Sequence, residues 1–102
     1  MEIGQGRTSV NDWQNYRENG IYVDIDTSHC RFSDTPHYLT TLEGSSTHWI
    51  ADGVSSIYTP SPTRFRIYLM WTSPDVPMAY QPLRRDFAIQ NGWYVKWTGI
   101  LT

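Results

Sequence analysis

The stretch "SIYTPSPTRFRIYLMW", Ser56–Trp71, decides the fold. Its first half carries two prolines, Pro60 and Pro62, among small polar turn formers. Its second half alternates. Phe65, Ile67, Leu69 and Trp71 fall on one side, and Arg64, Arg66, Tyr68 and Met70 on the other. Successive strand side chains point to opposite faces, so one apolar set at a period of two predicts a half-buried strand.

The same pattern recurs outward from that strand. "IYVDID" puts Ile21, Val23 and Ile25 on one face and Tyr22, Asp24 and Asp26 on the other. "HYLTTLEG" follows Pro36 and ends at Gly44, and "WYVKWTGI", Trp93–Ile100, reads as the closing strand. "THWIADG" and "SSIYT" are weaker strands around an Asp52-Gly53 turn signal. No eleven-residue window carries the apolar spacing of a helix. Several short strands with turns about every ten residues predict an all-β antiparallel sandwich or barrel. Val23, Ile25, Phe65, Ile67, Leu69, Val95 and Trp97 are the expected core. The least regular segment, Ser73–Gly92, is bounded by three prolines and "QNG". It is either a long connection holding a short strand or helical turn, or an elaborated hairpin, and long connections of this kind are functional or mobile.

A length of 102 residues bounds a single domain, 1–102, with its core between about residues 13 and 100. A hydrophobic share of 39% against 18% charged excludes disorder, and the apolar runs are too short for a spanning helix. Aromatic residues stand out: five Trp, seven Tyr and three Phe. Trp and Tyr suit strand cores, and they suit recognition surfaces equally, because each offers rigid apolar area with a polar handle. The eight basic residues are scattered and the net charge is −2, which argues against a nucleic-acid partner. The single cysteine, Cys30, excludes an intrachain disulfide and leaves the redox compartment open. "MEIGQGRTSV" lacks the apolar region of a signal peptide, so the chain is cytosolic, exported by another route, or one domain of a longer protein.

Side chains with catalytic or metal-binding potential are sparse. His29 and Cys30 are adjacent, and on a strand they would point to opposite faces, a poor nucleophilic pair. His37 and His48 have no partner at metal-ligand spacing. Asp24 and Asp26 share a strand face about 7 Å apart. With Asp34 they could hold Ca²⁺, or as a pair serve glycoside hydrolysis, and the same spacing is that of a solvated face. Arg64, Arg66, Tyr68 and Met70 form either a solvated face or a protein–protein face, since Arg and Tyr are enriched at interface cores.

Taken in order, Trp13, "FSDTPHYLTTLEG" (Phe32–Gly44), "SPTRF" (Ser61–Phe65), Trp71 and "WYVKWTGI" resemble the H-type lectin domain of the snail agglutinins and the C-terminal domains of the discoidins. The resemblance implies an antiparallel β-sandwich of about six strands. It also implies a homotrimer with sugar bound near protomer boundaries, and no catalysis or obligatory cofactor. In such a fold Pro62 presets φ for the turn, Thr63 can bond the backbone locally, and Phe65 opens the buried face. The departures concern the site. Trp71 falls one residue earlier than the family's strand-end Trp, a shift that moves a side chain to the other face. Trp71 is then core, with Thr72 in the sugar-facing position, or it is a platform. Asp52 stands where the family carries a sugar-binding Arg, Thr72 replaces a frequent His, and the family disulfide cannot form.

The expectation is a non-enzymatic carbohydrate-binding module acting as a multivalent trimer, extracellular or surface-exposed, binding a glycan or glycoconjugate. Its ligand residues are Glu18, Asn19, Asp52, Trp71 and Thr72, from three loops expected to converge. Tyr80, Arg84 and Arg85 are the next candidates. The rival expectation is a structural, assembly or protein-binding domain of the same fold, such as a virion or fibre tip or an adhesion module.

Overall fold

The computed structural model describes residues 1–73 and 75–102. Among the described residues seven strands form two antiparallel sheets packed as a β-sandwich. The first sheet has the order β1 (Glu2–Arg7), β7 (Tyr94–Leu101), β4 (His37–Glu43). The second has β2 (Gln14–Asn15), β3 (Ile21–Asp26), β6 (Arg64–Trp71) and β5 (Ala51–Asp52) in the order β2-β3-β6-β5. Two of the seven strands are only two residues long.

The alternating pattern delivers the core. Val23, Ile25, Phe65, Ile67, Leu69, Val95 and Trp97 are all buried, as their spacing predicts. Three further tryptophans, Trp13, Trp71 and Trp93, join them, and each removes up to about 250 Å² of surface from water. A buried indole N–H needs an acceptor. Trp13 Nε1 donates to the Trp93 carbonyl at 2.9 Å, Trp93 Nε1 to Ser46 at 2.8 Å, and Trp71 Nε1 to Tyr80 at 3.0 Å. The first two bonds join one connection to another and the third joins β6 to a connection, so the aromatic core also fixes the loops.

The turn before β6 works through Ser61 rather than Thr63. Ser61 Oγ accepts from the Thr63 and Arg64 amides at 3.2 and 3.1 Å, and the Ser61 amide donates to the Arg64 carbonyl at 2.9 Å. "THWIADG" and "SSIYT" are strands only in part. His48–Ile50 is a 3₁₀ turn, Ala51–Asp52 pairs with β6, and Tyr58 makes a single bridge to Arg66. The Ser73–Gly92 segment is a connection with a 3₁₀ turn at Met78–Tyr80 and one helix, α1 (Arg85–Gln90), anchored by buried Val76, Leu83 and Ala88. Pro74, within that segment, lies outside the described residues.

β1 carries no apolar alternation, because its inward positions include glycines. A Cβ on Gly6 would meet the Trp97 ring at 2.7 Å. The large ring on β7 takes the space that a side chain on β1 would otherwise fill.

Candidate functional site

The outer face of the four-stranded sheet carries a cleft of about 450 Å³. It is built from three pieces of chain. One wall is the β2–β3 connection, with Tyr16, Arg17, Asn19 and Gly20; the opposite wall is Asp52, Gly53, Ser56 and Tyr58; the floor is β6 from Tyr68, with Thr72 at its end. The three regions expected to converge do so.

Each wall is held for an identifiable reason. Tyr16 N–H donates to the Gly20 carbonyl at 2.9 Å, closing the loop, with Arg17 at a φ of 51°. The "RR" pair at the start of α1 then clips it. The Arg84 guanidinium donates to the carbonyls of Arg17, Gly20 and Tyr16 at 3.0, 3.2 and 3.3 Å. Asn19 Oδ1 accepts from Leu83 N–H at 2.9 Å, and Gly20 N–H donates to the Leu83 carbonyl at 3.2 Å. The Arg85 guanidinium does the same for the preceding segment through the Trp13 carbonyl at 2.8 Å, and the Arg85 backbone N–H donates to Asn15 Oδ1 at 2.7 Å. On the facing wall Gly53 sits against the Tyr68 carbonyl at a φ of 119°, where a side chain would both clash and strain the backbone.

The chemistry is aromatic at the sides and polar at the mouth. Tyr68 packs between Tyr16, at a centroid distance of 4.8 Å, and Tyr58, at 5.1 Å and 88°. Tyr58 is half exposed. Asp52 accepts a hydrogen bond from Thr72 Oγ1, so the two polar groups act as one unit. The Asn19 amide keeps its N–H donors, since its oxygen is the atom engaged with Leu83. Arg66, on the same outer face two residues from Tyr68, steadies the floor from the side. It forks onto Asp24 at 2.7 and 2.8 Å, donates to Tyr68 Oη at 3.2 Å, and lies over the Tyr22 ring at 4.3 Å. The Arg66 guanidinium, helped by Arg64, holds the Asp24 carboxyl below its ordinary value, and Asp24 in turn raises Arg66.

Set against the expected ligand set, Asn19, Asp52 and Thr72 line the cleft. Trp71 does not. It continues the inward series from Phe65 and is only 5% exposed, packed against Phe87 and Trp93. Period-two geometry places Trp71 in the core and its neighbour Thr72 at the mouth. Glu18 sits on the loop tip and is exposed outside the cleft. Tyr80, Arg84 and Arg85 are architectural: Tyr80 packs on Phe87 and the two arginines are the clips described above. Tyr16 and Tyr58, which do line the cleft, had a signal in "NYRENG" and "SIYT", where each tyrosine borders a turn.

The other candidate groups are placed as follows. Ser28–Cys30 is a 3₁₀ turn rather than a strand, so His29 Nε2 and Cys30 Sγ lie 3.5 Å apart instead of on opposite faces. Asp24 faces Arg64 and Arg66, Asp26 accepts from Ser28 N–H, and Asp34 from Thr35 N–H, which separates the three carboxylates into local roles. Among the described residues no group of three or more His, Cys, Asp or Glu side chains is placed to hold a metal ion, and no helix is long and apolar enough to cross a membrane.

Comparison with protein-family profiles, with curated proteins and with solved structures found no match to this chain.

Proposed function

We propose that this chain is a non-enzymatic carbohydrate-binding module of H-type-lectin character, extracellular or surface-exposed, that takes its glycan in the tyrosine-walled cleft. The observation that carries the reading is the meeting of Tyr16, Tyr58 and Tyr68 with Asn19, Asp52 and Thr72 in one cleft. A pyranose has an apolar face and a fringe of hydroxyls. Ring faces take the first, and a carboxylate, an amide and a hydroxyl take the second. Asp52 accepts from sugar hydroxyls with the charge-assisted advantage of an ionised group. Tyr58, half exposed, is the platform in this reading, in the role that Trp71 cannot fill from the core.

Assembly as a trimer belongs to the same reading. The apolar side chains that such an assembly would cover are Trp49 and Met78, 82% and 83% exposed. Each is two residues along the chain from a contact with Trp71: Ala51 pairs with Trp71, and the Tyr80 carbonyl takes the Trp71 indole.

The test is a glycan array probed with the purified chain. Binding to one glycan class, displaced by the free sugar and lost in Asp52→Ala, supports the reading, and silence across the array removes it. A protein-binding or assembly role is the second reading. It is favoured by the Arg64, Arg66 and Tyr22 surface beside the cleft, continuous with Tyr68 on its floor, whose residue types are those of interface hot spots.

A further inference from the structure

The other outer face of the sandwich carries a second concavity that the cleft reading does not use. Its volume is about 670 Å³, and it lies across the middle of the three-stranded sheet. The strand register shows how it is made. Arg7, Lys96 and Thr41 stand in one cross-strand row, and Gln5, Thr98 and Leu39 stand in the next row on the same face. The two rows are two residues apart along each strand, roughly 7 Å. Between them the floor is backbone, at Gly6, which has no side chain, and at Trp97 and Thr40, whose side chains are directed to the opposite face. The result is a groove running across the strands with one row of side chains on each bank.

The groove offers donors and positive charge. Arg7 and Lys96 are direct register partners. Like charges placed opposite one another across a ladder destabilise it. Here no carboxylate offsets them: the salt bridges among the described residues all fall on Asp24, in the other sheet. Glu43 shares the face one row beyond Thr41, outside the groove lining, and its register partner is Tyr94. The Arg7 guanidinium lies over the Tyr94 ring at 4.3 Å, which steadies it while leaving its N–H edge free. The side chains of Gln5, Thr41 and Thr98 add an amide and two hydroxyls to the banks. The strand beneath, β7, is paired on both sides, so no backbone group is open to strand addition and recognition falls to side chains.

We infer that this groove binds a polysaccharide bearing oxyanions, sulfate or carboxylate, laid across the three strands. Arg7 supplies a planar fork for the oxyanion, Lys96 a point charge beside it, and the threonines and Gln5 bond the chain's hydroxyls. Such a ligand turns an uncompensated pair of cations into a paired one. The inference is independent of the tyrosine cleft, which opens on the opposite side of the sandwich.

The test uses the full chain, ¹⁵N-labelled, titrated with dextran sulfate oligomers, polygalacturonate oligomers, neutral dextran and poly-glutamate at about 0.1 M salt, where exposed charges more than about 10 Å apart are screened. The expected result is saturable binding of the sulfated polymer, the carboxylated polymer or both. Amide shifts should centre on Arg7, Lys96 and Thr98, with none from dextran. Arg7→Gln/Lys96→Gln should weaken binding at least about tenfold, as loss of a desolvated charge contact does, with an unchanged circular dichroism spectrum. If the double variant misfolds, the two single variants carry the same comparison. Four results overturn the inference: no binding by either anionic polymer, binding that survives both substitutions, shifts centred elsewhere, or poly-glutamate binding as tightly as the polysaccharides, which would make the partner an acidic peptide. Groove amides that change with protein concentration and exclude the polymers would instead assign the face to a second copy of the chain, and also overturn it.

Discussion

The Tyr58 ring stands at 88° to the Tyr68 ring, with centroids 5.1 Å apart, so that Tyr68 is the floor and Tyr58 a wall of the same cleft. Tyr58 reaches this position on a single bridge to Arg66 rather than on a full strand. It is therefore held by the Tyr68 contact and that bridge, and half its surface stays open to a ligand. Tyr58→Ala is expected to weaken glycan binding by up to about tenfold, since an aromatic contact of this kind contributes about 0.5–1.5 kcal/mol beyond its area burial. The cost in stability should be about 1 kcal/mol or less, as for surface changes. Isothermal titration together with urea unfolding separates the two effects.

Trp71→Ala behaves in the opposite sense. A ring that is 5% exposed and packed against Phe87 and Trp93 leaves a cavity when removed, at a cost of about 3–5 kcal/mol. Leu69→Ala, at an adjoining inward position, should cost about 2–5 kcal/mol. A urea-midpoint shift for Trp71→Ala worth less than about 1.5 kcal/mol would place the ring outside the core.

Arg84 holds the cleft's first wall from outside it. Its guanidinium satisfies the carbonyls of Tyr16, Arg17 and Gly20, and methionine, of similar length, satisfies none. Arg84→Met is expected to cost about 1–3 kcal/mol through the Tyr16 and Arg17 carbonyls left without a donor, the Gly20 carbonyl keeping the Tyr16 N–H. It should also speed hydrogen exchange of the residue 16–20 amides more than those of β6. Uniform exchange across the chain would show that the clip is not local.

The acid limb of the stability curve follows from Asp24. Its folded-state pKa lies below the ordinary value because Arg66 and Arg64 stabilise the carboxylate. The contribution is then fully present above the unfolded carboxylate value of about 4 and is lost as pH falls through the lower folded value. The stability gap between the wild type and Asp24→Asn should be constant from about pH 5 upward and shrink below about pH 4. Thermal melts across that range give the sign directly. A gap that widens on acidification contradicts the assignment.

The fold was legible wherever burial follows a period of two. β3, β4, β6 and β7 are long enough for alternation to declare itself, and every core position read from it is buried. β1 was hidden because small residues on its inner face yield space to Trp97, so no apolar series marks it. α1 was hidden because six residues are too few to show a helical period, and tertiary anchors such as Ala88 hold it in place. In the candidate site, the convergence of three chain segments was an expectation drawn from the family resemblance rather than from local pattern, and Asn19, Asp52 and Thr72 line one cleft. Tyr16 and Tyr58 were outside that expectation. Each borders a turn, but its place in the cleft is set by Arg84, 68 residues from Tyr16, and by the bridge of Tyr58 to Arg66, neither of which the turn alone encodes.

The central claim is that the tyrosine cleft is a glycan site. Its most direct test is a ¹⁵N–¹H correlation titration of the full chain with a glycan selected on the array, run beside Asp52→Ala. The account predicts saturable shifts at the amides of Asn19, Asp52, Gly53, Tyr58, Tyr68 and Thr72, and their loss in a folded Asp52→Ala. Shifts that leave these amides unmoved, or that persist in Asp52→Ala with the same affinity, would contradict it.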